Sequence, residues 1–168
     1  MKKILEESGM KIFYGEKSTF LIEKSKLVTR MQGVKIVEFV ELYNGNKLKV
    51  VEAKTSSPCC DNNVDDYNAY INDIVEKFQN AVSIINSCVV GRRSDIFREF
   101  PAPMQKADYK SIYYRLLLLI KNCNEEWMAP LVDDLRKHLR PFLKCWNIKA
   151  DDFMILNEDL ARQKGIIE

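Results

Sequence analysis

Residues 34–54 read VKIVEFVELYNGNKLKVVEAK, and this stretch decides the fold. Asn44-Gly45 near its centre is a strong hairpin signal, because both residues tolerate the left-handed backbone that tight connections between strands require. The flanks are rich in β-branched and aromatic residues, which suit a pleated surface. The stretch therefore predicts one strand over Val34 to Tyr43 and a returning strand over Lys47 to Lys54, ended by Thr55-Ser56-Ser57-Pro58.

Successive strand residues point to opposite faces. The even positions are Val34, Ile36, Glu38, Val40 and Leu42, then Leu48, Val50, Glu52 and Lys54. Both sets are apolar except for Glu38, Glu52 and Lys54. Whether they share a face depends on the turn. A three-residue loop of Tyr43, Asn44 and Gly45 pairs Leu42 with Asn46 and keeps all even positions together. A strict two-residue Asn44-Gly45 turn pairs Tyr43 with Asn46 and separates the two acids, unless a bulge restores the register. The odd positions Val37, Phe39, Val51 and Ala53 are apolar as well, so the pattern does not choose between these turns.

The three charges matter because of their cost. An ionised carboxylate buried without a partner costs several kcal/mol. Two on one apolar face repel and push one pKa up. A divalent cation relieves this, and carboxylate oxygens suit Mg²⁺ or Mn²⁺. Lys54, two residues beyond Glu52, lies on the same side of its strand, where it can orient a water or stabilise charge on a phosphate. Two acids and a lysine thus fit metal-assisted phosphodiester hydrolysis. The plainer reading is an ion pair between Glu52 and Lys54, with Glu38 paired to another lysine.

Outward from the hairpin, residues 2–8 read as a short helix and Ser18 to Val28 as a strand. Asp61 to Val64 reads as a loop. Asp65 and Asp66 then sit where acids favour a helix start, and apolar residues from Tyr67 to Val89 recur at three- and four-residue steps, with Gly91 to end the helix. Arg92 to Ala107, holding Pro101 and Pro103, reads as irregular. Tyr109 to Lys121 is an apolar strand. Asn124 caps a helix with Glu125 and Glu126 in its first turn, lined on one side from Trp127 to Trp146, which Pro130 and Pro141 start or bend. Phe153 to Leu156 is a short strand, and Glu158 to Lys164 a last helix stopped at Gly165. Close antiparallel strands, followed by helices long enough for crossovers, imply a mixed sheet with helices on its faces.

The 168 residues suffice for one domain with a real core. At 46% apolar and 30% charged the chain has the balance of a folded protein. Its net charge of +2 argues neither for nor against nucleic acid. The start carries no signal-like apolar run, and Ile112 to Ile120, interrupted by Arg115, is too short to span a bilayer, so a cytoplasmic protein without a membrane partner is expected. Cys59, Cys60, Cys88, Cys123 and Cys145 include no Cys-x-x-Cys pair, and His138 is the lone histidine. Reduced structural thiols are expected.

The order helix, three strands, helix, strand, with Val37-Glu38, thirteen intervening residues and Glu52-Ala53-Lys54, resembles the core of the PD-(D/E)XK nuclease superfamily. The resemblance covers residues 1–121 and departs at one point, since the usual Pro-Asp is Val-Glu. It implies a restriction-endonuclease-like αβββαβ core, here in a single domain over 1–168 with a C-terminal helix-strand-helix extension. It implies that Glu38 and Glu52 bind Mg²⁺ or Mn²⁺, that the Ala53 carbonyl adds a ligand, and that Lys54 assists attack by water. Glu6 or Glu7 would supply an acid from the first helix, and Lys77 or Gln79 a polar residue from the helix after the lysine. The implied partner is nucleic acid, DNA first, with a homodimer as the working form.

The alternative is a catalytically inactive module of the same fold that binds nucleic acid or assembles with protein. Its basic contacts would come from Lys11, Lys17, Lys24, Lys26, Arg92, Arg93 and Arg98. Tyr113, Tyr114, Trp127 and Trp146 are expected in the core rather than as an interaction patch.

Overall fold

The loop that decides the register is Asn44-Gly45-Asn46, which joins strands paired Tyr43 to Lys47, Leu42 to Leu48 and Val40 to Val50. It has three residues, one position later than the loop considered from sequence, and the parity is the same: even positions from Val40 onward share a face. The computed structural model describes residues 1–59 and 63–168. Cys60, Asp61 and Asn62, and with them much of the loop expected over Asp61 to Val64, lie outside the described residues.

In chain order the strands are β1 (Lys2–Glu7), β2 (Met10–Gly15), β3 (Thr19–Phe20), β4 (Phe39–Tyr43), β5 (Lys47–Ser56), β6 (Tyr113–Asn122) and β7 (Phe153–Asn157). The helices are α1 (Lys26–Thr29), α2 (Val64–Val89), α3 (Ser94–Phe97), α4 (Ala102–Gln105), α5 (Glu125–Cys145) and α6 (Glu158–Gln163). Strands β3 to β7 form one five-stranded sheet in sequence order. β3, β4 and β5 are antiparallel, whereas β5, β6 and β7 are parallel. The parallel pairs require crossovers, and α2 and α5 supply them. The protein is thus an α/β molecule built on a mixed sheet. Among the described residues no helix is long and apolar enough to cross a membrane.

Two cores flank the sheet. On one face Val40, Leu42, Leu48, Val50, Leu116 and Leu118 pack against Ile71, Ile74 and Phe78 of α2 and Leu131, Leu135 and Leu139 of α5. On the other, Phe39, Val51, Ala53, Leu117 and Leu119 meet Leu5 and Ile12 of the β1–β2 hairpin and Ala161 of α6. The central strands are covered on both sides, which is why β6 reads as a nearly unbroken apolar run. The long helices follow their local signals. Asn63 accepts hydrogen bonds from the Asp65 and Asp66 amides at the start of α2, and Asn124 accepts one from Glu126 at the start of α5. α5 runs unbroken past both of its prolines.

Several expectations are corrected, among them the strand over Val34 to Tyr43, which begins only at Phe39. Residues 2–8 are not a helix: β1 pairs antiparallel with β2 through a Ser8-Gly9 turn in which both residues have positive φ. At Gly9 the positive φ of 72° favours glycine, whereas the nearby Lys121 amine is the end of a flexible side chain that can move aside. The leading helix of the expected αβββαβ order is therefore a hairpin. The strand over Ser18 to Val28 shrinks to β3, because the chain turns through a short 3-10 stretch at Ile22–Lys24 and then α1, which Ser25 caps. Arg92 to Ala107 is not wholly irregular, since α3 and α4 each form one turn. Nor do all the aromatics belong to the core. Tyr114 is buried, whereas Tyr113 and Trp146 are 63% and 38% exposed.

Candidate functional site

Glu52 lies on β5, with its side chain on the face covered by α2 and fully buried. A buried carboxylate needs partners. Lys77 of α2 donates to Glu52 Oε1 at 2.7 Å, and Lys54 approaches the same oxygen at 3.2 Å. Lys54 also donates to Asp73 Oδ2 at 2.8 Å, and Lys35 contacts both Asp73 and Glu76. Asp73 and Lys77 are four residues apart on α2, so one helix face presents an acid and a base to the end of β5. The charges alternate outward from Glu52 through Lys54 and Asp73 to Lys35 at the surface.

Burial pushes the Glu52 carboxyl above the usual carboxylate range, opposed by Lys77 and then Lys54. Burial alone would lower the Lys54 ammonium. The hydrogen bond to Asp73 and the charge of Glu52 outweigh it and raise the group above an ordinary lysine. Asp73 moves the other way, because Lys54 and Lys35 outweigh its own burial. Lys54 is thus held as a cation between two acids.

Glu38 precedes β4, and its amide donates at 3.0 Å to the carbonyl of Val51, the residue paired with Phe39, so Glu38 and Phe39 both oppose Val51 and the strict alternation stops there. Val37 accordingly packs in the same core as Val40, and Glu38 lies near enough to Glu52 to feel its charge. Glu38 is 5% exposed, and around it gather Glu7 from the end of β1 and Glu23 from the 3-10 stretch, with carboxylate oxygens within 4.8 Å of one another. Burial, a hydrogen bond with Glu23 and the charge of Glu52 push the Glu38 carboxyl up to about 9. Buried Glu41 shows the contrast within the same strand. Lys49 sits 2.6 Å from it across the hairpin, and the Gly15 amide donates to it at 2.7 Å. Glu38 Oε2 and Glu52 Oε2, by comparison, are buried without a hydrogen-bond partner among the described residues.

The structure therefore brings Glu52, Lys54 and Lys77 into contact and sets Glu38 beside them. Glu7 joins Glu38 from a strand rather than from a helix, and Glu6 is exposed. The Ala53 carbonyl accepts a hydrogen bond from the Ser8 hydroxyl at 3.1 Å, so one of its lone pairs is engaged. Asp73 and Glu23 were not singled out from sequence. Asp73 carried a signal in its four-residue spacing from Lys77 beside the apolar stripe of α2, whereas Glu23 carried none, since the turn that delivers it forms only against β4.

A cluster of oxygen donors with two orphaned buried oxygens fits a hard divalent cation, and Mg²⁺ and Mn²⁺ meet that description. Glu38, Glu7 and Glu23 would hold it, with Glu52 close by. The expected basic contacts are dispersed. Lys11 pairs with Glu168 and Arg93 with Asp95, and Lys17, Lys24, Lys26, Arg92 and Arg98 are exposed in several separate segments. Cys59, Cys88, Cys123 and Cys145 are free thiols, while Cys60 lies outside the described residues. No family model, curated protein or solved structure matches this chain.

Proposed function

We propose that this protein is a metal-dependent nuclease of the restriction-endonuclease-like kind, hydrolysing phosphodiester bonds in nucleic acid, with DNA the first substrate to test. One observation carries the reading. Two neighbouring acids, Glu38 and Glu52, each keep a buried oxygen without a partner among the described residues, and a lysine lies against one of them. Unpaired buried carboxylates are costly, so their retention asks for a charge that completes them. The place also fits, because ligands of open α/β sheets bind beyond the carboxyl ends of parallel strands, where Glu52 and Lys54 lie on β5.

Glu38 and Glu52 are the metal ligands in this reading, supported by Glu7 and Glu23. A bound Mg²⁺ or Mn²⁺ would supply Lewis acidity toward the phosphate and a more acidic water. Lys54, held protonated, offers its ammonium to the charge that accumulates on phosphate oxygens. Lys77 fixes the Glu52 carboxylate in place. The test is cleavage of duplex, single-stranded and branched DNA and of RNA in Mn²⁺ or Mg²⁺, with Lys54→Ala as control. Cleavage lost in that variant is the expected result. Intact substrates throughout, together with no metal-dependent rise in the unfolding temperature, would overturn the proposal.

A second reading has its own observation. Lys54 is clamped between Glu52 and Asp73, and Glu52 Oε1 is shared by two lysines. An inactive module of the same kind would retain such a network for stability alone. It predicts that Lys54→Met leaves every solution property except stability unchanged.

A further inference from the structure

At the opposite end of the sheet from Glu52, where β5 and β6 begin, lies a cleft of about 570 Å³. Its size falls within the range of roughly 300–1,000 Å³ that holds small organic ligands. Two features of its lining stand out. Tyr113 and Trp146, the exposed aromatics named above, both line it. Its charged groups are Lys47, Lys110, Arg115 and Lys149 against the single acid Asp152, which is already engaged by Arg115 at 3.2 Å. Beneath the lining, Tyr43 Oη, Tyr109 Oη and Arg115 Nε are buried without a hydrogen-bond partner among the described residues. In protein interiors such orphaned groups are few and ask for an explanation.

Exposed rings and surplus cations describe a receptor for an aromatic anion. We propose that this cleft binds a nucleoside phosphate, with the base stacked on Trp146 and Tyr113 and the phosphate held by Lys47, Lys149 and the free edge of Arg115. Stacking of a base on an aromatic side chain is strong and indifferent to sequence, and lysines nearby answer the phosphate. Beside the cleft, sharing Ile148 with it, a second depression is lined by Arg136, Lys137, Arg140 and Lys144 of α5. These cations extend the positive surface away from the cleft, along the path that a phosphate backbone would take. The nucleoside phosphate can therefore be free or part of a single strand, and the α5 row makes the strand the tighter ligand. Binding here requires neither a metal nor the carboxylates at the other end of the sheet.

Calorimetric titration of the full chain in EDTA separates these possibilities, using adenosine 5′-monophosphate, adenosine, inorganic phosphate and a short 5′-phosphorylated oligodeoxyadenylate. The expected result is that the monophosphate binds at least about tenfold more tightly than adenosine or phosphate, and that Trp146→Ala weakens it at least about fivefold. Lys47→Gln combined with Lys149→Gln weakens it comparably. All are surface changes, and matching circular dichroism and unfolding midpoints verify that the variants fold. A strand that binds more tightly than the monophosphate, with the excess lost in Arg140→Gln/Lys144→Gln, assigns the ligand to a polymer. Equal affinities assign it to a free nucleotide. The proposal is overturned if neither ligand binds at millimolar concentration, if phosphate binds as well as the monophosphate, or if Trp146→Ala and Tyr113→Ala leave affinity unchanged. Self-association abolished by Trp146→Ala, without nucleotide binding, would overturn it in favour of a protein contact.

Discussion

The two ends of the central sheet handle charge in opposite ways. At the carboxyl end of β5, charges of both signs interlock: Glu52 is fully buried, Lys77 and Lys54 reach it, and Asp73 holds Lys54 from the other side. At the other end, cations and aromatic rings stand around an open cleft with one acid among them. The first arrangement is closed around Glu52 and leaves Glu38 protonated among its neighbouring acids. The second is incomplete and lacks an anion. Burial makes the difference. A buried charge must find its partner inside the fold, whereas an exposed one is served by water until a ligand arrives.

The sharpest way to break the comparison is Lys54→Ala, which on the nuclease reading lowers the cleavage rate by roughly hundredfold or more. A gel assay in Mn²⁺ reads this directly, and an unchanged rate would mean that the lysine is structural. Next in size is Lys77→Met. It strips the shorter of the two lysine contacts from Glu52 and is expected to lower stability by about 2–4 kcal/mol in denaturant titration. A loss below about 1 kcal/mol would show that Lys54 alone satisfies Glu52.

Glu38 makes a prediction about pH. With its carboxyl up to about 9 in the folded state, the native protein holds a proton that the unfolded chain has released above the ordinary range near 4.5. Stability is then fullest in acid and falls as pH rises from that range toward 9, by at most about 1.4 kcal/mol per pH unit for one group. Unfolding midpoints of metal-free protein between pH 6 and 8 check the sign, and Glu38→Gln should flatten the slope. A slope that survives the substitution belongs to another group. The smallest effects lie at the open end. Tyr114→Phe loses the hydrogen bond that the tyrosine oxygen accepts from Asn86, for about 1 kcal/mol, while Tyr113→Ala changes stability by about 0.5 kcal/mol or less. A large loss from Tyr113→Ala would mean that its ring supports the fold rather than waiting for a ligand.

Much of the architecture was legible in the chain. Asn44-Gly45 marked the hairpin, the stripe from Tyr67 to Val89 marked α2, and Asn124 followed by two glutamates marked the start of α5. In each case a local signal and the final packing agreed. Lys2–Glu7 is the counterexample. Its lysines and glutamates favour a helix locally, and only Leu5 in it is buried. Pairing with β2 and packing against the second core outweigh that preference, although Ser8-Gly9 was a turn signal in plain view.

The candidate site divides along the same line. Sequence alone determined that Glu52 and Lys54 share a side of one strand, because the period of a strand is two. It did not determine where Glu38 would lie, because an offset opposite Val51 breaks the strand's alternation just before β4. Nor did it determine that Glu7, Glu23, Asp73 and Lys77 converge on the pair. Those residues come from a hairpin, a 3-10 stretch and a helix that meet only when the sheet is covered. The strand's alternation is written in consecutive residues, but the charges that complete a buried acid are chosen by which segments the folded chain packs around it.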